Sequence, residues 1–305
     1  MIVYTLPDPT ACEQYIRDHL STDTSDPAVW KTFPSGEFYV RFVRIEKEVV
    51  IVGRTWGSAD NLWRTLLLVH TAKQNGAARI VLALPYFAYS RQDRQRLDGE
   101  PLSGALLANL FATAGATQII TIDLHSKRIQ DASPIPVASV PFITDLALAF
   151  KKESGADKDI TVVAPDKGAK DHADTFAQLL REGKKCIWIE KERDPYTGEV
   201  QHGAFHGADH NGSAVLLDDM LDTGGTIQES VRILRERGFK DLSLCITHPI
   251  FSGTASEHMC ALNFSHIFTS DTIPLSAAVA VALPGIHIIP AGPRLVEAIS
   301  QYLRT

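Results

Sequence analysis

Residues 214–226 read AVLLDDMLDTGGT. Four apolar residues, Ala214, Val215, Leu216 and Leu217, run without interruption into Asp218 and Asp219. An unbroken apolar run of this length suits a parallel strand buried on both faces. Two residues later Asp222, Thr223, Gly224, Gly225 and Thr226 open a stretch with helical apolar spacing. Glycines at a strand-to-helix turn let backbone N–H groups come close to a phosphate, and the helix N-terminus adds exposed donors and its positive dipole end. Thr223 and Thr226 supply hydroxyl donors. Asp218 and Asp219 repel a phosphate, but carboxylates accept hydrogen bonds from sugar hydroxyls, so the pattern describes a site for a sugar phosphate. A bare helix cap after a buried strand would account for Asp222 and the glycines, but not for two adjacent acids at the strand end. Neither GxxxxGK[ST] nor GxGxxG occurs in the chain.

Outward from this stretch, apolar β-branched runs alternate with helical patterns. Strands are expected over residues 2–5, 49–52, 79–84, 118–122, 161–164, 186–189, 214–217 and 242–247, and helices over 61–74, 102–113, 169–181 and 226–237. Such alternation predicts an α/β fold with parallel sheets. The pattern runs twice, with the polar stretch 151–159, KKESGADKD, expected as a loop. The expected domains are residues 1–145 and 146–305, with the last helix a candidate to pack back on the first.

Composition bounds the function. Of 305 residues, 45% are hydrophobic and 22% charged, which is ordinary for a globular protein with full cores. The formal net charge of −6 argues against nucleic acid as the main partner, since phosphate backbones demand clustered Lys and Arg. Arg91, Arg94 and Arg96 do cluster, on a scale that suits a small phosphorylated ligand. Cys12, Cys186, Cys245 and Cys260 share no CxxC spacing and read as reduced thiols of a cytoplasmic protein. The first ten residues have no signal-peptide pattern, and the longest apolar run, 277–283, is too short to span a bilayer. His202, His206 and His210 recur every four residues, but the glycines of HGAFHGADHNG argue for an exposed loop or edge strand and against a metal-binding helix.

The 214–226 motif resembles the phosphoribosyl-binding loop of type I phosphoribosyltransferases and their relatives. Further segments resemble the ribose-phosphate pyrophosphokinase family in order along the chain. Residues 33–37, FPSGE, are similar to its adenine-contacting loop, with Phe33, Ser35 and Glu37 at the matching positions. Residues 84–94, LPYFAYSRQDR, carry the pair Arg91 and Gln92 that the resemblance assigns to ATP. His125 in TIDLHS and Asp166 in APD match residues linked to magnesium. Lys191 and Arg193 in EKERDPYTG match the Lys-x-Arg of the catalytic loop. Residues 247–253, THPIFSG, and 270–276, SDTIPLS, are family-like as well.

The resemblance implies two type I phosphoribosyltransferase-like domains, each a mostly parallel sheet flanked by helices. It implies transfer of pyrophosphate from MgATP to C1 of ribose 5-phosphate, yielding phosphoribosyl pyrophosphate and AMP for nucleotide biosynthesis. Asp218, Asp219 and residues 222–226 would hold ribose 5-phosphate, and Mg²⁺ would be the cofactor. The assembly would be a homo-oligomer, at least a dimer, with the FPSGE-type loop reaching a neighbour's ATP. Ser35 departs from the Asp or Asn of many relatives. Lys167-Gly168-Ala169 replaces a common Gly-Gly, and residues 38–50 lack a usual Asn- and Gly-containing turn. A nucleobase phosphoribosyltransferase would explain DTGGT but give no role to RQDR, FPSGE or the first hundred residues. A catalytically silent regulatory homologue would be expected to lose the loop lysine or the metal histidine, and both are present.

Overall fold

A computed structural model describes residues 1–21, 27–155, 160–181, 186–190, 192–193, 200–201, 205–206 and 212–304. The chain forms two compact units, Met1–Pro141 with Pro290–Thr305, and Phe142–Ile289.

Unit 1 contains β1 (Ile2–Thr5), α1 (Ala11–Leu20), β2 (Ala28–Thr32), β3 (Phe38–Phe42), β4 (Glu48–Val52), α2 (Ala59–Gln74), β5 (Arg79–Leu84), α3 (Ser103–Ala114), β6 (Gln118–Ile122), α4 (Lys127–Ala132) and β7 (Val137–Val140). Five of these strands form a parallel sheet in the order β1-β4-β5-β6-β7. The residues of β6 are all buried, and those of β4 and β5 all but the first, as expected for strands covered on both faces. The remaining two, β2 and β3, make a separate antiparallel hairpin that packs on α2 through β3.

Unit 2 begins with α5 (Ile143–Ser154), β8 (Ile160–Ala164), α6 (Lys170–Leu180) and β9 (Ile187–Ile189). The short strands β10 (Glu192–Arg193), β11 (Val200–Gln201) and β12 (Phe205–His206) come next. Then come β13 (Ser213–Leu221), α7 (Gly225–Glu236), β14 (Asp241–Pro249), α8 (Ala255–Ala261), β15 (His266–Ser270), α9 (Ala277–Ala282) and β16 (Ile286–Ile289). Its seven-stranded sheet has the order β12-β9-β8-β13-β14-β15-β16, parallel throughout except for β12. From β8 the chain runs outward to β9, then returns to place β13 on the other side of β8. Strand order therefore reverses between β8 and β13. In open parallel sheets, the crevice beyond the carboxyl ends at such a reversal is where ligands bind. Unit 1, with its sequential order, has no such reversal.

The compact units part after Pro141, four residues before the boundary expected near 145, and α5 packs on α6, β14, β15 and β16. Two expectations are corrected. The polar stretch 151–159 does not begin as a loop, since α5 runs through Ser154, its Lys151 and Lys152 lying in the last turn where the dipole favours cations; residues 156–159 lie outside the described residues. The strand expected over 214–217 continues to Leu221, so Asp218 and Asp219 lie within it and not at its end.

The last helix, α10 (Gly292–Leu303), belongs to unit 1, where it covers α1 and the sheet through β5, β6 and β7. Leu295 and Ile299 are fully buried. Arg79 clasps the helix end, donating to the Tyr302 carbonyl at 2.6 Å with its guanidinium 4.3 Å from the Tyr302 ring centre. Among the described residues, no helix is long and apolar enough to cross a membrane. Leu295→Ala should lower the unfolding free energy by about 2–5 kcal/mol, as other fully buried leucines do. Chemical denaturation reads this directly, and an unchanged midpoint would show that α10 does not complete the unit 1 core.

Candidate active site

Asp166 lies just beyond β8, while Asp218 and Asp219 ride on the last part of β13. Parallel pairing of these two strands brings all three acids to the sheet end where strand order reverses. Asp166 holds its own turn together, its Oδ1 accepting from the backbone N–H of Gly168 at 2.8 Å and of Ala169 at 3.1 Å. This is a local Asx-type turn ahead of α6, whose own N-cap, Ala169, receives no side-chain cap. Asp218 Oδ1 accepts from the Asp219 N–H at 3.0 Å. Burial raises the Asp218 carboxyl well above the usual carboxylate range, and the negative charges of Asp219 and Asp166 raise it further. Both Asp218 and Asp219 keep part of their surface in solvent, so a ligand can reach them.

Beyond β13 the chain turns through Asp222, Thr223 and Gly224 into α7. Gly224 caps the helix with φ +81°, a left-handed conformation that side chains disfavour. A carbon added there would also lie 2.7 Å from Met259 Cε. Gly225 differs, since an added carbon would meet nothing within 4 Å among the described residues and would point into open space. Thr223 and Gly225 are exposed, and Thr226 is half-buried. The turn is braced from the end of β14. Ile250 and Phe251 each donate a backbone N–H to the Leu221 carbonyl at 3.0 Å, and Ser252 donates to the Asp222 carbonyl at 3.0 Å. Behind this brace lies a buried polar network. His248 Nδ1 meets Thr272 Oγ1 at 2.9 Å, and Ser270 Oγ donates to the Thr247 carbonyl at 2.5 Å and lies 2.8 Å from Thr272 Oγ1. The segments 247–253 and 270–276 thus support the loop, a role that their composition does not announce.

The other expected residues lie in unit 1. Phe33, Ser35 and Glu37 form the tip of the β2–β3 hairpin, closed by Phe33 N–H to the Glu37 carbonyl and Gly36 N–H to the Phe33 carbonyl, both 2.8 Å. Ser35 Oγ donates to Glu37 Oε2 at 2.8 Å. The Phe33 ring is 39% exposed, edge-on to Tyr39 at 6.1 Å, with Lys31 Nζ 4.9 Å from its centre. Arg91 and Gln92 are exposed on the loop after β5. Thr55, which is buried, anchors the start of that loop by donating to the Tyr86 carbonyl at 2.6 Å and accepting from the Ala88 N–H at 3.0 Å.

His125 is exposed on the loop after the neighbouring strand β6. The residue that ties the two loops together is Asp93, to which sequence pattern assigns no role. It accepts from Ser126 Oγ at 2.6 Å and pairs with Arg128 at 3.4 Å. Burial alone would raise its carboxyl, but the Ser126 hydrogen bond, its own backbone and the nearby Arg128 and Arg94 charges together hold it below the ordinary value. Only its place between Gln92 and Arg94 could have drawn attention to it.

Lys191 lies outside the described residues. The backbone at Arg193 pairs with Val200 in the β10–β11 hairpin. His206 sits on the edge strand β12, stacked on Trp188 at 4.1 Å and bonded to Glu190 at 2.9 Å, in keeping with an edge strand and not with a metal-binding helix. His202 and His210 lie outside the described residues.

Comparison with known proteins agrees with this division. Residues 1–115 match the family model of the N-terminal domain of ribose phosphate pyrophosphokinase, and residues 140–271 match that of the phosphoribosyl transferase domain. A ribose-phosphate pyrophosphokinase of Corynebacterium efficiens is 33% identical over 281 residues, 90% of this chain and 84% of that protein. The one of Hyphomonas neptunium is 34% identical over 277 residues, 89% and 86% of the two chains. The crystal structure of phosphoribosylpyrophosphate synthetase from Mycobacterium smegmatis matches with a TM-score of 0.88 at 27% identity, covering 99% of this chain and 98% of that one.

The two glycines separate stability from binding. Gly224→Val should lower the melting temperature, whereas Gly225→Val should fold normally and lose affinity for a sugar phosphate in calorimetry. Unchanged affinity in Gly225→Val would remove the loop from the site. Asp218 yields a prediction with a definite sign. Its raised native pKa means that the folded chain holds the proton longer than the unfolded one. Its contribution to stability is complete below the unfolded value, about 3.9, and is lost as pH rises through the folded value. In chelator, Asp218→Asn should therefore raise the melting temperature at neutral pH, and the gain should vanish as pH falls towards about 4. A gain independent of pH would contradict the assignment.

Proposed function

This chain belongs to the ribose-phosphate pyrophosphokinase family, and we infer that it transfers the pyrophosphoryl group of MgATP to O1 of ribose 5-phosphate. One observation carries the reading. The acid-and-glycine cradle of unit 2 shares a chain with an N-terminal half that matches the pyrophosphokinase N-terminal domain. A nucleobase phosphoribosyltransferase has no use for that half.

In this reaction the anomeric oxygen bonds to the β-phosphorus of ATP, the bond from that phosphorus to the bridging oxygen breaks, and AMP and a proton are released. Reactions of this kind depend on alignment and charge neutralisation more than on covalent help from the protein. The 5-phosphate rests on the backbone N–H groups and hydroxyls of residues 222–226. Asp218 and Asp219 accept from the ribose hydroxyls and so fix the direction of O1. Phe33, Ser35 and Glu37 contact the adenine, Phe33 offering a ring face and the other two polar edges. Arg91 and Gln92 hold the ATP phosphates. Asp93 keeps the Arg91 loop and the His125 loop in a constant relation to one another. Lys191 and Arg193 act as cations on the charge that moves to the leaving AMP.

Mg²⁺ suits the oxygen-rich donors of the site, where burial first, and then the negative charges of Asp219 and Asp166, raise the Asp218 carboxyl. Asp166 would hold it, directly or through its waters, and it would supply charge neutralisation on the ATP oxygens; His125 is a further candidate magnesium contact on its own loop. The chain works as a homo-oligomer, at least a dimer. Leu102 just before α3, Leu106 and Leu110 on it, all exposed at four-residue spacing, together with exposed Trp63 on α2, support association. Free thiols at all four cysteines support a place in the reducing cytoplasm.

Incubation with ATP and ribose 5-phosphate should release AMP, and chelator should stop the release. Lys191→Ala should cut kcat by about a hundredfold, the scale of losing one transition-state donor, while both substrates bind within a few-fold of wild type. No AMP from the wild-type chain would overturn the activity. Wild-type turnover in Lys191→Ala would overturn the loop's role alone.

A further inference from the structure

At the opposite end of the unit 2 sheet from the acids, three side chains of different elements converge. Alternation along β15 puts His266 and Phe268 on one face, and the parallel register sets His287 of β16 directly beside Phe268. The His287 ring stacks on Phe268 at 4.6 Å, and the two imidazole centres lie 5.8 Å apart. The helix α5 covers this face, its depth set by Phe150, whose ring meets Phe268 edge-on at 5.6 Å. One turn beyond Phe150, Glu153 brings its carboxylate to the histidines. One ligand atom from each of Glu153, His266 and His287 lies within 4.8 Å of the others, the one such grouping among the described residues. The two histidines are half-buried and Glu153 is exposed, so water has access to the cluster.

The geometry points to a second metal site in this protein, taking a borderline first-row cation such as Zn²⁺ on Glu153, His266 and His287, with water completing the shell. Two imidazoles and one carboxylate suit such an ion, whereas Mg²⁺ demands oxygen donors in an octahedron. Zinc bonds of about 2.0–2.2 Å place tetrahedral ligand atoms about 3.3 Å apart. The three atoms must therefore close by at most about 1.5 Å from their present limit. Rotation of the exposed Glu153 side chain provides most of that, since the histidine rings are held by Phe268 and by the sheet register. A bound ion would stitch the last turn of α5 to β15 and to the edge strand β16. Its effect would be on the stability of unit 2, because the cluster lies at the amino ends of the strands and the catalytic groups lie at the carboxyl ends.

The test uses the full chain, stripped with chelator and then saturated with Mg²⁺ to occupy hard-cation sites. Competition with a chromophoric zinc chelator should find one more Zn²⁺ per chain in the wild type than in the His266→Asn/His287→Asn double variant. Zn²⁺ should raise the melting temperature of the wild type and leave that of the double variant unchanged. Zinc-free AMP release and circular dichroism should match between the two, showing that the variant is folded. Glu153→Gln, a change at an exposed position, should weaken zinc binding by at least the roughly 10–100-fold that loss of an outer-sphere partner costs. Equal zinc stoichiometry and affinity in wild type and double variant would overturn the site. Should the double variant fail to fold, Glu153→Gln decides alone, and wild-type affinity there would overturn it.

Discussion

Parallel strands leave a sheet from the same edge, and neighbouring ones must release the chain beyond them into the same small volume. In unit 2 that constraint acts on β8 and β13, whose register runs from Ser213 opposite Ile160 to Leu216 opposite Val163. The chain after β8 supplies Asp166, and β13 carries Asp218 and Asp219 before the glycine turn. Because strand order reverses between them, α6 and α7 diverge and leave a crevice open above the strand ends. The meeting of Asp166 with Asp218 and Asp219 in the proposed sugar-phosphate cradle depends on that pairing.

The same arrangement concentrates like charges. Asp218 follows the buried strand residues 214–217 and lies near two other carboxylates, and its proton is held well beyond the ordinary range. Such a group weakens the free protein and is retained where a ligand or cation can relieve it. The surroundings tolerate it because they are stiff. Ile250, Phe251 and Ser252 lock the turn by backbone hydrogen bonds, and His248, Ser270, Thr272 and Thr247 form a buried network behind it. A fully satisfied network of this kind specifies one arrangement of the strand ends. In unit 1 Asp93 binds the loop after β5 to the loop after β6 through Ser126 and Arg128.

Local patterns carried much of this in the linear chain. The apolar runs marked the central strands of both sheets, because a strand buried on both faces has no alternative composition. The DTGGT turn was legible because a left-handed cap and close backbone approach both demand glycine. Structure separates those two demands, with Gly224 constrained by φ and Met259, while Gly225 faces open space that an approaching ligand could use. The short elements were harder to read. The hairpin β2–β3 and the edge strands carry mixed residues on half-exposed surfaces, where pattern is weak.

The sequence by itself determined the α/β class, the glycine turn and the identity of the acids around it, since each depends on residue types a few positions apart. Only the tertiary structure decided where β13 ends, since pairing with β14 carries it past two aspartates that propensity alone would treat as a stop. The tertiary structure also assigned the last sixteen residues to the first unit. Contacts such as Asp93 with Ser126, 33 positions apart, and Glu153 with His266 and His287 came from the same source. Sheet register and helix packing bring such residues together over separations that no local spacing rule can encode.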